Sequence, residues 1–430
     1  MASKRTVRRM AGLIVGYLSD DLLRRVVDPR CEQGRRWRSC VPLLRAVLLG
    51  LVCGCKGLGE VEELTAELPL GVRRLLDIPR RTPDTTLRDF LCQLKPGSLS
   101  EVLYVLGYDA WRRKALLPDG DFPWGILTCD GKYPAIRDTE VSDYLQVRHD
   151  DSGAATYGLV RTITATLVGA GRPILGAIPV RGDTNEQGSF QQAFGDLVRI
   201  YGRLFRLVMY DAGAASLPNA DAVRSGGKHY FFQVADPRWV MYQTLELLLA
   251  DKAPVARDEE IVSSHVRIVR SLSMVALSPT EKNLTVWGHA RTAFKVDSET
   301  YVDGVLTSTK TRYFITSLES SELTAEKWLR LVVLRWGVET AHQILDDAFA
   351  EDERPWITAD AQGALAVMLL RRAAYTILTL YRSVTQRSDE NRLLPFRKLM
   401  EWLKDAVKWP NATDLEGLRS RRFAVPPALA

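Results

Sequence analysis

The sequence predicts an α/β protein in which a helical amino-terminal domain precedes a mixed core that is interrupted by an antiparallel β region. Three observations lead to this prediction. Apolar residues recur at helical spacing up to about residue 115, and short strand-like and helical runs then alternate up to about residue 235. Strand-like runs alone then occupy the stretch to about residue 318. A chain of 430 residues is long enough for two or three domains.

The charge of the chain is concentrated at its amino-terminal end. Residues 1–45 hold eleven Lys and Arg against four Asp and Glu, a net charge of +7, whereas the whole chain carries +6. A basic segment on a near-neutral body suits contact with a phosphate backbone, and a solvated basic tail explains the same charge equally well. Apolar residues at 46% and charged residues at 26% are ordinary values that exclude wholesale disorder.

The cysteines favour a reducing compartment over a metal site. All six lie in the first 130 residues, with no CxxC pair and no histidine among them, so a zinc site is not expected. Residues 11–18 lack the cleavage site of a signal peptide, and the apolar run 46–55 is too short to span a bilayer. These observations predict a cytoplasmic protein without a membrane segment.

The amino-terminal domain is predicted over residues 1–116. Helical periodicity covers residues 43–51 and 64–76, a further helix is expected over 87–94, and Lys95-Pro96-Gly97 is expected to end it. Another helix is expected from Ser98 or Ser100 to Trp111. The Pro- and Gly-rich residues 117–123 form the clearest linker.

The core is predicted to start after this linker, over residues 124–262. Strands are expected at 124–129, 157–168, 172–180, 204–210 and 229–235, with helices at 186–201 and near 218–225. The order is therefore β-β-β-α-β-α-β, with one carboxylate ending strand one and another ending strand four. That is the element order of the RNase H-like nucleotidyl-transfer fold.

An inserted antiparallel β subdomain is predicted over residues 263–318. Its strands are expected at 265–277, 284–290, 293–296 and 311–318. Residues 319–383 are predicted to complete the core, with one helix from 324 that continues through 349 and another over 360–382. Residues 384–430 are predicted to be an irregular tail.

Three carboxylates are the candidate catalytic and metal-binding residues. Asp130 and Asp211 end their strands, and Glu339 begins a polar helix face that also holds His342 and Asp346. Two divalent ions would make a nucleophile from water or a 3′-hydroxyl and stabilise the leaving oxygen, and hard oxygen ligands favour Mg²⁺ or Mn²⁺. Each residue alone has a simpler explanation: either aspartate could cap a turn, and Glu339 could pair with Arg335.

Several blocks of sequence resemble DDE transposases of bacterial insertion sequences, and more narrowly the group of H-repeat-associated proteins. The resemblance spans about residues 25–380. It is carried by Asp130-Gly131-Lys132, by the strand ending in Asp211, and by the blocks 335–339, 345–352, 27–36, 309–318 and 370–373. It implies an RNase H-like core in which Asp130, Asp211 and Glu339 hold the metal ions.

The chain also departs from that pattern. The broader transposase group has a Tyr three residues before the Arg and a Lys seven residues after the Glu, where this chain has Val332 and Asp346. The basic and acidic motif expected at the start of the insertion has lost its acid at His265–Arg270. Contacts to flanking DNA that depend on that Lys are therefore not carried over.

The resemblance implies cleavage at element ends and strand transfer into target DNA by a homodimer or higher multimer on double-stranded DNA, in the bacterial cytoplasm. Two alternatives stay open: a catalytically retired or domesticated DNA-binding protein, and an RNase H-like nuclease without strand transfer. A set of basic and polar residues is expected to contact DNA: Lys132, Arg335, Arg35, Arg36, Arg38 and His342.

Overall fold

The computed structural model describes residues 4–30, 39–116, 118–140, 142–169, 171–278, 286–385, 392–410, 415, 417–418 and 421–429. These residues form a mixed α/β protein with a large mixed sheet. The chain divides into two compact units. The first combines residues 1–117, 131–185 and 339–430, and the second combines residues 118–130 and 186–338.

The amino-terminal part of the first unit is helical, as predicted. Its helices are α1 (Lys4–Tyr17), α2 (Asp20–Leu23), α3 (Cys40–Val52), α4 (Leu58–Glu67), α5 (Leu70–Leu76), α6 (Asp84–Leu91) and α7 (Pro96–Arg112). Helix α6 ends before Lys95-Pro96-Gly97, as expected, whereas α7 begins at Pro96 rather than at Ser98 or Ser100. Proline suits the first helical turn, because its missing N–H has no partner there and its φ is already helical.

Strands and helices then alternate along the chain. They are β1 (Ile126–Lys132), β2 (Ala135–Ile136), β3 (Leu145–His149), β4 (Ala155–Leu167), β5 (Ile174–Val180), α8 (Glu186–Tyr201), β6 (Leu207–Tyr210), α9 (Leu217–Ser225), β7 (His229–Val234) and α10 (Val240–Leu249). The predicted order of strands and helices is confirmed, with two short strands, β2 and β3, added after the first.

Antiparallel strands and further helices complete the chain. They are β8 (Ala256–Ile261), β9 (Val266–Ala276), β10 (Thr292–Val302), β11 (Val305–Thr316), α11 (Ala325–Leu334), α12 (Gly337–Phe349), α13 (Ala361–Leu380) and α14 (Phe396–Lys408). Thr324 and Asp360 cap α11 and α13, each by accepting a backbone N–H in the first turn.

The first unit is organised around α13. This helix is buried along its length and packs against α3, α7 and β5. Among the described residues, the stretch Ala361–Ser383 is the one helix long and apolar enough to cross a membrane by length and composition, and all of its most apolar window is buried inside the protein. It is the central helix of a hydrophobic core that also includes residues of α3, α6 and α14.

An ion pair lies inside this core. The Arg372 guanidinium on α13 donates to Glu351 Oε1 at 2.8 Å, and neither side chain is exposed. Arg372 also donates to the carbonyl of Met368 at 2.8 Å and to Thr164 Oγ1 at 3.2 Å. Each charge is therefore neutralised by its partner in a region that solvent does not reach. Removing one partner would leave the other charge buried and unpaired.

Each unit has its own strand pairing. In the first unit, β4 pairs antiparallel with β2, β3 and β5. In the second unit, β1, β6 and β7 are parallel neighbours, and β7 continues antiparallel through β11, β10 and β9 to β8. The predicted insertion therefore extends the sheet of β1, β6 and β7 through the β7–β11 pairing, and its first strand, β8, begins before the predicted limit at residue 263.

Three expectations about single elements were wrong. Residues 286–290 form no strand, although a strand was predicted over 284–290, of which residues 284 and 285 lie outside the described residues. The helix expected from 324 through 349 is broken at Arg335 and Trp336, where the Trp336 N–H bonds the carbonyl three residues back. The tail expected to be irregular contains α14, whose apolar face is buried in the core.

The buried ion pair leads to a stability prediction. Glu351→Ala should lower the free energy of unfolding by about 3–5 kcal/mol, because it leaves the Arg372 charge uncompensated in the core. The double variant Glu351→Leu, Arg372→Met should recover most of that loss. Urea denaturation measures both. Glu401→Ala is the control, because its exposed pair with Lys398 should contribute under about 1 kcal/mol. Equal losses for the two alanine variants would contradict the prediction.

Candidate active site

Two predicted catalytic residues lie at the carboxyl ends of neighbouring parallel strands. Cys129 of β1 is the register partner of Tyr210 of β6, so Asp130 and Asp211, the next residue of each, follow side by side. Asp211 follows the last residue of its strand, as predicted. Strand β1 was expected to end before Asp130 but runs on to Lys132, so Asp130 is held inside regular strand geometry.

The two carboxylates act on each other electrostatically. Both side chains are half-buried. Burial first, and the charge of Asp130 second, raise the pKa of the Asp211 carboxyl. The backbone N–H of Gly213, which donates to Asp211 Oδ1 at 2.9 Å, and the charge of Arg335 oppose part of that rise. The pair is therefore a concentration of negative charge that a cation would stabilise.

A third carboxylate, which is not among the residues predicted for the site, lies beside this pair. Glu186 begins α8, and its Oε2 accepts from the Tyr210 hydroxyl at 3.4 Å. A β-carbon added at Gly213 would lie 3.1 Å from Asp211 Oδ1 and 3.4 Å from Glu186 Oε2. The Asn-Glu pair at 185–186 was a usable signal, but an acid at a helix start has an ordinary explanation in the helix dipole.

The negative charge of these groups affects the pKa of the Tyr210 hydroxyl. Its side chain is fully buried, and burial raises the pKa of the hydroxyl well above its ordinary value. The negative charges of Glu186 and of both aspartates raise that pKa further. The hydroxyl therefore stays protonated and donates to Glu186. Burial also raises the pKa of the neighbouring Cys129 thiol to about 12, so this thiol is not a nucleophile at neutral pH.

Two other predicted residues lie on α12. Glu339 is in the first turn of this helix and is exposed, and His342 lies one turn on and is buried. Glu339 belongs to the first unit, whereas Asp130 and Asp211 belong to the second. Two other acids that follow Glu339 along the chain have structural partners: Glu351 forms the buried pair with Arg372, and Asp346 pairs with Lys132.

Lys132 was expected to contact phosphate, and it is held by two carboxylates. Its ammonium group donates to both oxygens of Asp346 at 2.8 and 2.7 Å and to Asp352 Oδ2 at 2.8 Å. The side chain is only 13% exposed. Its charge is therefore satisfied within the protein in this structure.

Of the remaining basic candidates, the structure describes Arg335. Arg335 is 7% exposed, lies against the ring of Trp336 and acts on Asp211 electrostatically. Arg35, Arg36 and Arg38 lie outside the described residues.

The site's chemistry fits hard divalent cations. Carboxylate oxygens on a rigid sheet edge are the ligands that Mg²⁺ and Mn²⁺ prefer. Among the described residues, no three His, Cys, Asp or Glu side chains are grouped closely enough to form a complete metal-ligand set. The pair Asp130 and Asp211 therefore offers carboxylate oxygens to such an ion without forming a complete ligand set among the described residues.

The comparisons with known proteins found a similarity among solved structures. No family model and no curated protein matches the chain. The chain is similar to the piggyBac transposase in the cryo-EM structure of its synaptic complex with hairpin DNA, at 11% identity and a TM-score of 0.46 over 96% of this chain and 81% of that one. A similarity at this level does not assign a fold or an activity, so the proposal below depends on the chain's own residues.

The raised pKa of Asp211 leads to a stability prediction. A carboxyl whose pKa is raised by folding stabilises the fold while protonated and loses that contribution as the pH rises through the folded pKa. Asp211→Asn should therefore raise the free energy of unfolding at neutral pH, in chelator, by about 1 kcal/mol, and by less at a pH where Asp211 is protonated.

Thermal unfolding with and without Mg²⁺ measures this effect and supplies its control. Added Mg²⁺ should raise the Tm of the parent protein and have little effect on Asp211→Asn, because an ion that binds only the folded protein stabilises it. A lower Tm for Asp211→Asn in chelator at neutral pH would contradict the prediction.

Proposed function

We propose that this chain is a DDE-type DNA transposase with an RNase H-like core. It cleaves DNA at the ends of a mobile element and joins the freed ends to target DNA. The observation that carries the proposal is the pair of aspartates, Asp130 and Asp211, side by side on two parallel strands with Glu186 beside them. Its charge and rigidity suit metal-dependent phosphodiester chemistry.

The order of elements along the chain supports the same proposal. Strands β1, β4 and β5 precede α8, and β6, α9 and β7 follow it. This is the β-β-β-α-β-α-β order expected of an RNase H-like core. The parallel pairing of β1 with β6 and of β6 with β7 suits that fold. Ligand sites at the carboxyl ends of parallel strands are a general property of such sheets.

Glu339 is the third carboxylate of the proposed site. It lies four residues beyond Arg335 along the chain, and the charge of Arg335 acts on Asp211. It is exposed in the first turn of α12, where a carboxylate is stabilised by the helix dipole. Glu351 is unsuited to the role because its charge is committed to Arg372 inside the core.

Each residue of the site has a separate role in the proposed chemistry. Asp130, Asp211 and Glu339 would hold the divalent ions, and Glu186 and the Gly213 N–H would orient Asp211 and its surroundings. Bound ions would supply the positive charge that helps water or a DNA 3′-hydroxyl to attack and stabilises the leaving oxygen. The protein contributes the fixed positions of its carboxylates, which the strand pairing and the core maintain.

The proposal includes the partners and the setting. The substrate is double-stranded DNA, at both the element ends and the target, and joining two ends requires a dimer or higher multimer. We place the enzyme in a bacterial insertion sequence, in the cytoplasm with the nucleoid, using Mg²⁺ or Mn²⁺. Basic residues of the amino-terminal segment, Arg35, Arg36 and Arg38, would contribute phosphate contacts.

Glu339→Gln tests the third carboxylate. The change keeps the size of the side chain and removes the charge that holds an ion, so cleavage and strand transfer should fall by several orders of magnitude. The free energy of unfolding should change by under about 1 kcal/mol, because the side chain is exposed. Activity is measured on a duplex that carries the element end, with binding measured in parallel.

Asp347→Asn is the matched control, because it removes an exposed carboxylate from the same helix. It should leave cleavage near the parental rate. A folded Glu339→Gln protein that binds DNA and still cleaves at close to that rate would remove Glu339 from the site. Cleavage without strand transfer by the parent protein would instead identify a nuclease.

The choice of ion gives a second test. Mg²⁺ and Mn²⁺ should both support cleavage, whereas Ca²⁺, which has a looser coordination geometry, should support DNA binding without cleavage. Excess chelator should abolish cleavage and leave binding to DNA largely intact. Cleavage that persists in chelator would rule out the metal-dependent mechanism.

A further inference from the structure

Three arginine side chains surround one tryptophan in the second unit. The guanidinium carbons of Arg270, Arg312 and Arg335 lie 5.5, 5.6 and 5.5 Å from the centre of the Trp336 ring. We call these four residues the Trp336 cluster. Guanidinium groups are attracted to aromatic faces, and of the three charges that of Arg270 is met by the carboxylates of Glu260 and Asp258.

The strand register explains how the cluster forms. Arg270 of β9 is opposite Ser298 of β10, which is opposite Lys310 of β11. Arg312 lies two residues beyond Lys310 on the same strand and therefore on the same face of the sheet. Trp336 follows α11 and lies against this basic face.

The cluster is a built site rather than a surface patch. Arg270 is 5% exposed and Arg335 is 7% exposed. The Arg270 Nη2 donates to Glu260 at 2.5 Å, and its Nη1 lies 3.6 Å from Asp258. Its Nε and Nη1 nevertheless have no hydrogen-bond partner although they are buried. Buried polar groups of this kind normally have a partner, so the donors of Arg270 point to a missing acceptor.

Arg312 adds a further cation to the cluster. It is half-buried, and within the part of the chain that the structure describes its one contact with a charged or aromatic group is with Trp336. Planar guanidinium groups held in fixed positions bind the oxygens of a phosphate in pairs. A phosphate is therefore the acceptor that best fits the site.

We propose that the Trp336 cluster binds a backbone phosphate of duplex DNA, with Arg312 as the arginine that meets it from solvent. This inference rests on the proposed function, because DNA is the proposed substrate. The influence of Arg335 on Asp211 indicates that one guanidinium of the cluster is within electrostatic range of the aspartate pair. The phosphate site would then hold the DNA strand near the place where it is cut.

The test is the salt dependence of DNA binding by the full-length protein. Labelled duplex DNA is titrated in chelator between about 50 and 200 mM salt, so that no cleavage occurs. Arg312→Ala should weaken binding about tenfold and lower the slope of log K against log salt by about one, which is the loss of one phosphate contact. Arg312→Lys should recover part of the affinity and most of the slope.

Arg267→Ala is the matched control. Arg267 lies on β9 three residues before Arg270, so it is on the opposite face, where it stacks on Tyr301 and pairs with Glu259. It should leave affinity and slope unchanged. Trp336→Leu, checked for folding by circular dichroism, should weaken binding as Arg312→Ala does, because the guanidinium groups lose the ring that holds them.

The outcomes separate this inference from the proposed function. If Arg312→Ala binds with unchanged affinity and slope while the parent binds and cleaves DNA, the phosphate site is wrong and the transposase proposal stands. If Arg312→Ala loses the contact while the parent never cleaves DNA under any ion, the phosphate site stands and the catalytic proposal is wrong. A parent protein that binds no duplex DNA at low salt overturns both.

Discussion

The parallel pairing of β1 with β6 is the constraint on which the candidate site depends. It fixes Asp130 and Asp211 next to each other, although their charges repel and each is half-buried. The residue before Asp211 is tightly packed. Tyr210 is fully buried, and its ring meets that of Phe190 edge to face with 5.4 Å between the ring centres. Two like charges that are held close together on a rigid support lower the stability of the fold. Such an arrangement is characteristic of functional sites.

The charges of the buried and half-buried arginines are stabilised in two different ways. Arg372 lies in the core opposite Glu351, so the pair is neutral and its role is structural. Arg312 and Arg335 face the indole ring of Trp336, which attracts a cation. Arg270 is intermediate, because carboxylates meet one side of its guanidinium while its Nε has no hydrogen-bond partner. The buried Nε of Arg270, together with the half-buried Arg312, is the reason to assign a ligand to the Trp336 cluster and none to Arg372.

Much of the fold could be predicted from the sequence, because local patterns dictate it. The helical period predicted α8 at its observed limits, the β-branched run 157–168 predicted β4, and the run 204–210 predicted β6, both strands to within a few residues. The errors came where tertiary contacts decide. Helix α14 has many charged residues and one apolar face, which is buried in the core, and the short strand β2 depends on pairing with β4. Asp130 and Asp211 were predictable because each ends an apolar run. The Trp336 cluster could not be predicted, because three-dimensional pairing alone brings its members together. Glu186 carried a signal in the Asn185-Glu186 pair, but an acid at a helix start is also explained by the helix dipole.

Position 346 shows how the charges of the proposed DNA-binding surface are redistributed. The broader transposase group that the sequence resembles has a lysine seven residues after the glutamate, and this chain has Asp346 there. Asp346 pairs with the ammonium group of Lys132, and Asp352 pairs with the same group. A lysine bound by two carboxylates adds no net positive charge to its surroundings, so neither position 132 nor position 346 can attract a phosphate without first breaking these contacts. In the proposed function, the positive charge that DNA binding requires must therefore come from other elements. The Trp336 cluster offers three arginines on β9, β11 and at the end of α11, of which Arg270 is ion-paired to neighbouring acids and Arg312 is half-buried. The proposed phosphate contacts therefore lie on and beside the antiparallel sheet rather than at position 346 of α12.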